Sequence, residues 1–192
     1  MSTSEVTHYL VIDVEATCDN AGRVPRHEME IIEFGAVLVG APALLGESEF
    51  QTFIRPVRRP ELSEFCTRLT GIRQQDVEPA PGFPEAVGSF QAWLGERARG
   101  TIFCSWGDYD RKQIEQDCRF HRLAYPMPER HLNLKVLFSR TRGLPRRLGL
   151  SDALREAGLV AVGRHHRGID DARNIARLLP FALGVRPGDP GP

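Results

Sequence analysis

An α/β domain built on one mixed β-sheet is what this sequence predicts, and three observations carry the prediction. Three apolar, strand-like runs follow one another through short loops between residues 9 and 55, the pattern of an antiparallel meander. After residue 60 the pattern changes to helices alternating with a short buried strand, which points to helices flanking that same sheet. At 192 residues, 41% of them hydrophobic, the chain fits one domain that buries roughly 70% of its unfolded surface without disulfides or a structural metal. The expected organisation is an N-terminal arm over 1–7, the domain over 8–182 and a flexible tail, rich in Pro and Gly, over 183–192.

The elements follow in order. In Tyr9–Val14, Tyr9 and Val11 fall on one face and Leu10, Ile12 and Val14 on the other, so the strand is central and covered on both sides. Asp19-Asn20-Ala21-Gly22 and Pro25 mark a loop. Ile31–Val39 is the second strand, Pro42 and Gly46 bound a turn, and Glu49–Arg55 alternates as the third strand. Leu62–Leu69 begins a helical stretch with Ser63 as candidate N-cap. Phe83–Leu94 is amphipathic, with Phe83, Val87, Phe90 and Leu94 at near-helical spacing. Thr101–Ser105 is a short buried strand. Asp108–Phe120 and Leu132–Arg140 read as helices, another starts at Ser151 with a partial capping signature, and Ile169–Leu179 is the last.

Composition excludes several classes. Lys plus Arg and Asp plus Glu each number 25, so binding that rests on bulk positive charge is excluded, although a local basic patch is not. Lys112 and Lys135 are the only lysines. Cys18, Cys66, Cys104 and Cys118 form no C-x-x-C pair, which argues against a zinc finger, and the last three sit among apolar residues as buried free thiols. The N-terminal residues lack a signal-peptide pattern and no run approaches a membrane span, so a cytoplasmic protein with no membrane partner is expected.

Three segments carry candidate chemistry. In Asp13-Val14-Glu15 the two carboxylates share one face at the end of an apolar strand. They repel each other, and a hard divalent cation such as Mg²⁺ or Mn²⁺ would relieve the conflict. Two solvated acids at a strand end are an equal reading of that segment alone. In Ser105–Asp110 a buried strand passes into a helix. Asp110, Ile114 and Cys118 share the apolar face, whereas Asp108 leads to Lys112 and suits an N-cap, so Asp110 is taken as the functional acid. In His165–Asp171, Asp171 heads the apolar stripe through Ile175 to Leu178 and Leu179, while Asp170 leads to Asn174 and Arg177 on the polar face. His166 stands five residues before Asp171 on the preceding loop, placed to carry a proton near neutral pH.

In order, spacing and element type, D-x-E at Asp13–Glu15, the aromatic-Asp step Tyr109-Asp110 and His166 with Asp171-Ala172 resemble the three exonuclease motifs of the DEDDh family. That family includes RNase T, oligoribonuclease and the proofreading subunit of a bacterial DNA polymerase. The segments DVEATC, EIIEFGAVLV, LSEFCTRLTGI, RLAYP and GIDDARNIA are similar to the histone-mRNA 3′-exonuclease, enhancer-of-RNA-interference and KapD-type subgroup. The resemblance covers about residues 8–180; the extra acid Asp108 in WGDYD departs from it.

The resemblance implies a ribonuclease H-like fold and 3′-to-5′ hydrolysis releasing nucleoside 5′-monophosphates. Two divalent ions, Mg²⁺ or Mn²⁺, would lie about 3.5–4 Å apart, held by Asp13, Glu15, Asp110 and Asp171, with His166 as general base. The backbone at Ala16 and Thr17 would approach the terminal 3′ hydroxyl, and Leu69 and Thr70 would flank the last nucleotide. Phe65 and Trp106 would stack on terminal bases, or else belong to the core. Arg164 and Arg167 would hold phosphates or balance Asp170.

The expected partners are single-stranded RNA or DNA 3′ ends, with the oligomeric state open. RNA is the leading substrate, DNA or very short oligonucleotides the alternative. A non-catalytic binding module is disfavoured because none of the five motif residues is missing.

Overall fold

A computed structural model describes residues 6–185. Its five-stranded sheet has the order β3-β2-β1-β4-β5, with β1 (His8–Ala16), β2 (Ile31–Gly40), β3 (Leu45–Phe53), β4 (Thr101–Ser105) and β5 (His131–Asn133). The first three strands form the expected antiparallel meander. β4 pairs parallel with β1, and β5 parallel with β4. β1 thus stands between an antiparallel and a parallel neighbour.

The alternation of β1 becomes two cores. Leu10, Ile12 and Val14 pack with Phe34, Ala36 and Leu38 of β2 beneath α3 (Phe83–Leu94) and α4 (Tyr109–His121). Val11 and Val37 face the opposite way, beneath α5 (Leu134–Thr141), α6 (Leu150–Glu156) and α7 (Gly168–Leu183). Cys66, Cys104 and Cys118 are buried and unpaired, as their apolar settings suggested. Among the described residues, no helix is long and apolar enough to cross a membrane.

Local chemistry explains most element ends. Ser63 caps α1 (Glu64–Thr70), its Oγ accepting from the Cys66 amide. Asp19 Oδ1 accepts from the amides of Ala21 and Arg23 and closes the first loop. Several expectations need correcting. The stretch read as a helix from Leu132 begins as β5; Asn133 then caps α5 by accepting from the Val136 amide. Ser151 is no cap, because α6 starts at Leu150 with Gly149 in the N-cap position. Asp108 holds the N-cap position of α4 without a side-chain capping bond. A four-residue helix, α2 (Gln74–Val77), follows α1 unannounced by any apolar period.

The last helix does not stop at Leu179 but carries Pro180 inside its final turn and ends at Leu183, within the segment read as tail. Thr7, read as arm, is tied to the sheet by bonds from its amide to the Gly100 carbonyl and from the Ala41 amide to its own carbonyl. Residues 1–5 of the arm and 186–192 of the tail lie outside the described residues.

The N-terminus of α7 meets the sheet with almost no gap. A Cβ placed on Gly35 of β2 would lie 2.2 Å from the Gly168 carbonyl carbon, and one on Gly168 would lie 3.0 Å from the Asp13 carbonyl oxygen. Two glycines therefore let a helix backbone rest directly on strand backbone. The predicted consequence is that Gly35→Ala loses about 1–3 kcal/mol by overpacking. Urea unfolding would read this as a lower midpoint at unchanged slope; an unaltered midpoint would mean that α7 can ride up freely.

Candidate active site

β4 follows β1 only from the pair His8–Thr101 to the pair Val11–Cys104, whereas β1 runs on to Ala16 beside β2. The last residues of β1 thus have an open side at the carboxyl end of the parallel pair, the place where open α/β sheets receive ligands. Asp13 and Glu15 lie here, inside the strand rather than beyond it, on the face that α7 covers. The Val14 amide donates to Asp110 Oδ1 at 3.1 Å, so the first turn of α4 supplies a partner that β4 has ceased to offer. Asp110 is buried and Asp108 is exposed, as the helix-face argument required.

α7 brings the remaining acid. Carboxylate oxygens of Asp13, Glu15 and Asp171 all lie within 4.8 Å of one another. A 350 Å³ cleft opens above them, and its lining includes Asp110, His165, His166, Leu69, Trp106 and Ala16. His166 Nδ1 is 3.9 Å from Glu15 Oε1, and the His166 amide donates to Asp171 Oδ2 at 2.9 Å. Its loop is fastened to α7: Asn174 exchanges two hydrogen bonds with the backbone of Val162, and the Arg164 amide donates to Asp170. Asn174 is accordingly buried rather than part of a solvated polar face.

The electrostatics follow from this crowding. Burial, then Asp110, Glu15 and Asp171 in turn, holds the Asp13 carboxyl well above the usual carboxylate range. Glu15 is pushed up to about 8 by burial and by Asp171, Glu33 and Asp110. Asp110 rises to about 6, burial outweighing the backbone amides that favour its charged form. Burial, aided by His165, lowers His166. Carboxylate oxygens of Asp13, Glu15 and Asp171, crowded together with burial and like charge holding Asp13 and Glu15 high, form the all-oxygen donor set a hard dication requires, so these residues fit the expected metal.

The remaining candidates divide between the cleft and the core. Thr70 is fully buried, its hydroxyl donating to the Cys66 carbonyl and accepting from the Ile72 amide, so it shapes the end of α1 rather than touching a ligand. Thr17 is buried too, bonded to Glu30 through both its amide and its hydroxyl, which leaves only Ala16 of that pair at the cleft. Phe65 lines a neighbouring 600 Å³ groove with Arg58, Arg59 and Arg68. Trp106 borders the cleft and is also half-anchored, its ring 5.7 Å from Phe138 and its Nε1 donating to the Leu148 carbonyl. Arg167 is not free for phosphate: its guanidinium bonds both carboxylate oxygens of Glu33.

Glu33 is the residue that reading the sequence missed. It is fully buried opposite Glu15 across the strand pair, and its Oε2 also accepts from the Gly168 amide. It therefore occupies the N-terminus of α7, where a carboxylate is favoured. The available signal was one acid inside the otherwise apolar run IIEFGAVLV. His165, Tyr109 and Lys135 also line the cleft.

The family model described as Exonuclease matches residues 10–179. The chain is 34% identical over 181 residues to ERI1 exoribonuclease 3 of Mus musculus, covering 90% of this chain and 52% of that protein. It is 35% identical over 175 residues to 3′-5′ exoribonuclease 1 of Rattus norvegicus, covering 88% and 50%. The chain spans about half the length of these curated relatives. Among solved structures, the nuclease domain of 3′hExo, a DEDDh family member bound to rAMP, superposes with a TM-score of 0.85 at 32% identity, covering 98% of this chain and 99% of that one. A 3′-exonuclease in 3′-end-specific recognition of a histone mRNA stem-loop gives 0.86 at 30% identity, covering 96% and 67%.

The raised carboxyls predict an unusual pH dependence. Unfolded, Glu15 and Asp110 lose their protons near their ordinary values of 4.5 and 3.8; folded, they hold them to about 8 and 6. The native state binds more protons across that window, so the EDTA-treated protein loses stability as pH rises from about 4 to about 8. Added Mg²⁺ or Mn²⁺ would stabilise more at the alkaline end. Thermal melts across the window, with and without cation, test this; a cation-independent rise of the midpoint with pH would contradict it.

Proposed function

The chain belongs to the exonuclease family, in its DEDDh branch, and from that premise we propose that it hydrolyses single-stranded RNA from the 3′ end, releasing nucleoside 5′-monophosphates. The observation that carries the reading is the convergence of Asp13, Glu15 and Asp171, from β1 and α7, to within 4.8 Å beside His166. Relatives named exoribonucleases, and neighbours bound to rAMP and to an RNA stem-loop, support RNA over DNA. Four free cysteines support a reducing compartment, and we place the protein in the cytoplasm.

Asp13, Glu15 and Asp171 would hold divalent cations, two Mg²⁺ or Mn²⁺ in this reading, with Asp110 in support. Bound cations supply charge neutralisation at the phosphate and lower the pKa of water. The protein's own part is positional and acid–base. Asp110, fixed by the Val14 amide, keeps β1 and α4 in register around the acids. His166 has a lowered pKa and is neutral near pH 7, ready to accept a proton from the attacking water. Its ring stands beside the acids, with Nδ1 3.9 Å from Glu15 Oε1. Leu69 and Trp106 provide the apolar walls for the last base. Phe65, one turn before Leu69 on α1 and lining the neighbouring groove, would meet the preceding nucleotide.

The test is digestion of matched 5′-labelled RNA and DNA oligonucleotides with Mg²⁺ or Mn²⁺. A ladder shortening from the 3′ end is expected, faster on RNA and abolished by EDTA. Asp13→Ala should lose about a thousandfold or more, and His166→Ala about 10²–10⁴-fold. Equal or greater rates on DNA would replace the substrate assignment. No product from either polymer, with folded, cation-binding protein, would overturn the enzyme assignment.

A further inference from the structure

Overlapping the carboxylate trio at Asp171, a second group of side chains at the cleft can converge on a cation. Ligand atoms of His165, His166 and Asp171 all lie within 4.8 Å of one another. His165 Nδ1 is 3.1 and 3.0 Å from the two Asp171 oxygens. Consecutive residues in extended chain point opposite ways; here His166 takes a φ of 63°, and the turn lays the two imidazoles side by side, centroids 4.0 Å apart and planes 29° apart. Both rings remain open to solvent, with 51% and 41% of the side chains exposed. His165 belongs neither to the D-x-E nor to the His166–Asp171 motif, so nothing in the proposed hydrolysis accounts for it.

The donor chemistry of the two groups differs. Asp13, Glu15 and Asp171 offer oxygen alone, which suits Mg²⁺. Two imidazole nitrogens and one carboxylate suit a borderline dication, with the remaining positions left to water. We propose that His165, His166 and Asp171 form a nitrogen-rich cation site that takes Zn²⁺ in preference to Mg²⁺. Because Asp171 and His166 are shared, occupation of this site withdraws an acid and the base from the carboxylate centre, and Zn²⁺ inhibits hydrolysis supported by Mg²⁺. The binding claim stands on the three side chains; the inhibition claim rests on the exonuclease reading above.

The experiment separates the two. In the full chain carrying Asp13→Asn and Glu15→Gln, calorimetric titration with Zn²⁺ should give one equivalent that excess Mg²⁺ does not displace. Adding His165→Ala should weaken it about tenfold or more, and so should His165→Phe, which keeps a stacked ring without a ligand atom. Should the doubly substituted background not fold, the same His165 comparison is made in the otherwise unaltered chain, with NMR of the imidazole nitrogens reporting whether His165 and His166 shift with Zn²⁺. In the nuclease assay, His165→Ala should raise the Zn²⁺ concentration for half-inhibition by a similar factor. Zn²⁺ affinity unchanged by both His165 substitutions, or imidazole signals indifferent to Zn²⁺, would overturn the site and reduce His165 to a hydrogen-bond partner of Asp171. Zn²⁺ binding through His165 in a protein without nuclease activity would keep the site and discard the exonuclease reading.

Discussion

The bare contact between Gly35 and Gly168 sets the depth at which α7 meets the sheet, and the site depends on that depth. Asp13 is the register partner of Gly35, and Asp171 lies one helical turn beyond Gly168. Where the backbones touch, the two acids approach each other from different elements. Any side chain between them would lift the helix and separate the carboxylates. The Gly168 amide is an orphan donor at the helix N-terminus, and Glu33 takes it while holding Arg167. Steric absence at two positions and one buried acid–base pair therefore act together as a spacer of fixed length.

That geometry works against its own stability. Asp13, Glu15 and Asp110 are held in surroundings that disfavour their charge, through burial first and then through neighbouring acids, Asp171 among them in every case. Hydrogen bonds from the Val14 amide to Asp110 and from the His166 amide to Asp171 offset part of the cost by fixing oxygens without neutralising them. The network around Glu33 is complete in itself, with the Arg167 guanidinium and the Gln51 amide group as further donors. The unbalanced acids lie at the cleft and the balanced one lies behind them, a division that directs the affinity for cations outward.

Much of this was legible in the sequence because it was periodic. The alternation in Tyr9–Val14 foretold a strand with two cores, and the same parity carried Asp13 and Glu15 to one side. Four-residue spacing separated Asp110 from Asp108 and Asp171 from Asp170. Periodicity is silent on what pairs across the fold. Glu33 became readable only once Glu15 stood opposite it and Gly168 above it. The backbone of Thr17 and the flank at Thr70 were expected at the ligand by resemblance alone, which does not show that the Thr17 amide is taken by the Glu30 carbonyl or that Thr70 is buried at the end of α1. β5 is three residues long, too short for any period to announce it.

The four acids and the histidine come from three separated stretches of chain, around residues 13–15, 110 and 166–171. The strands that carry the first pair fold with neighbours close in sequence, while Asp171 reaches them only when α7 docks across β1 and β2. A chain still emerging from the ribosome holds the first acids long before it holds the last. The oxygen trio of Asp13, Glu15 and Asp171 is therefore complete only at this late docking step, so a cation held by all three would report that α7 has docked rather than nucleate the fold.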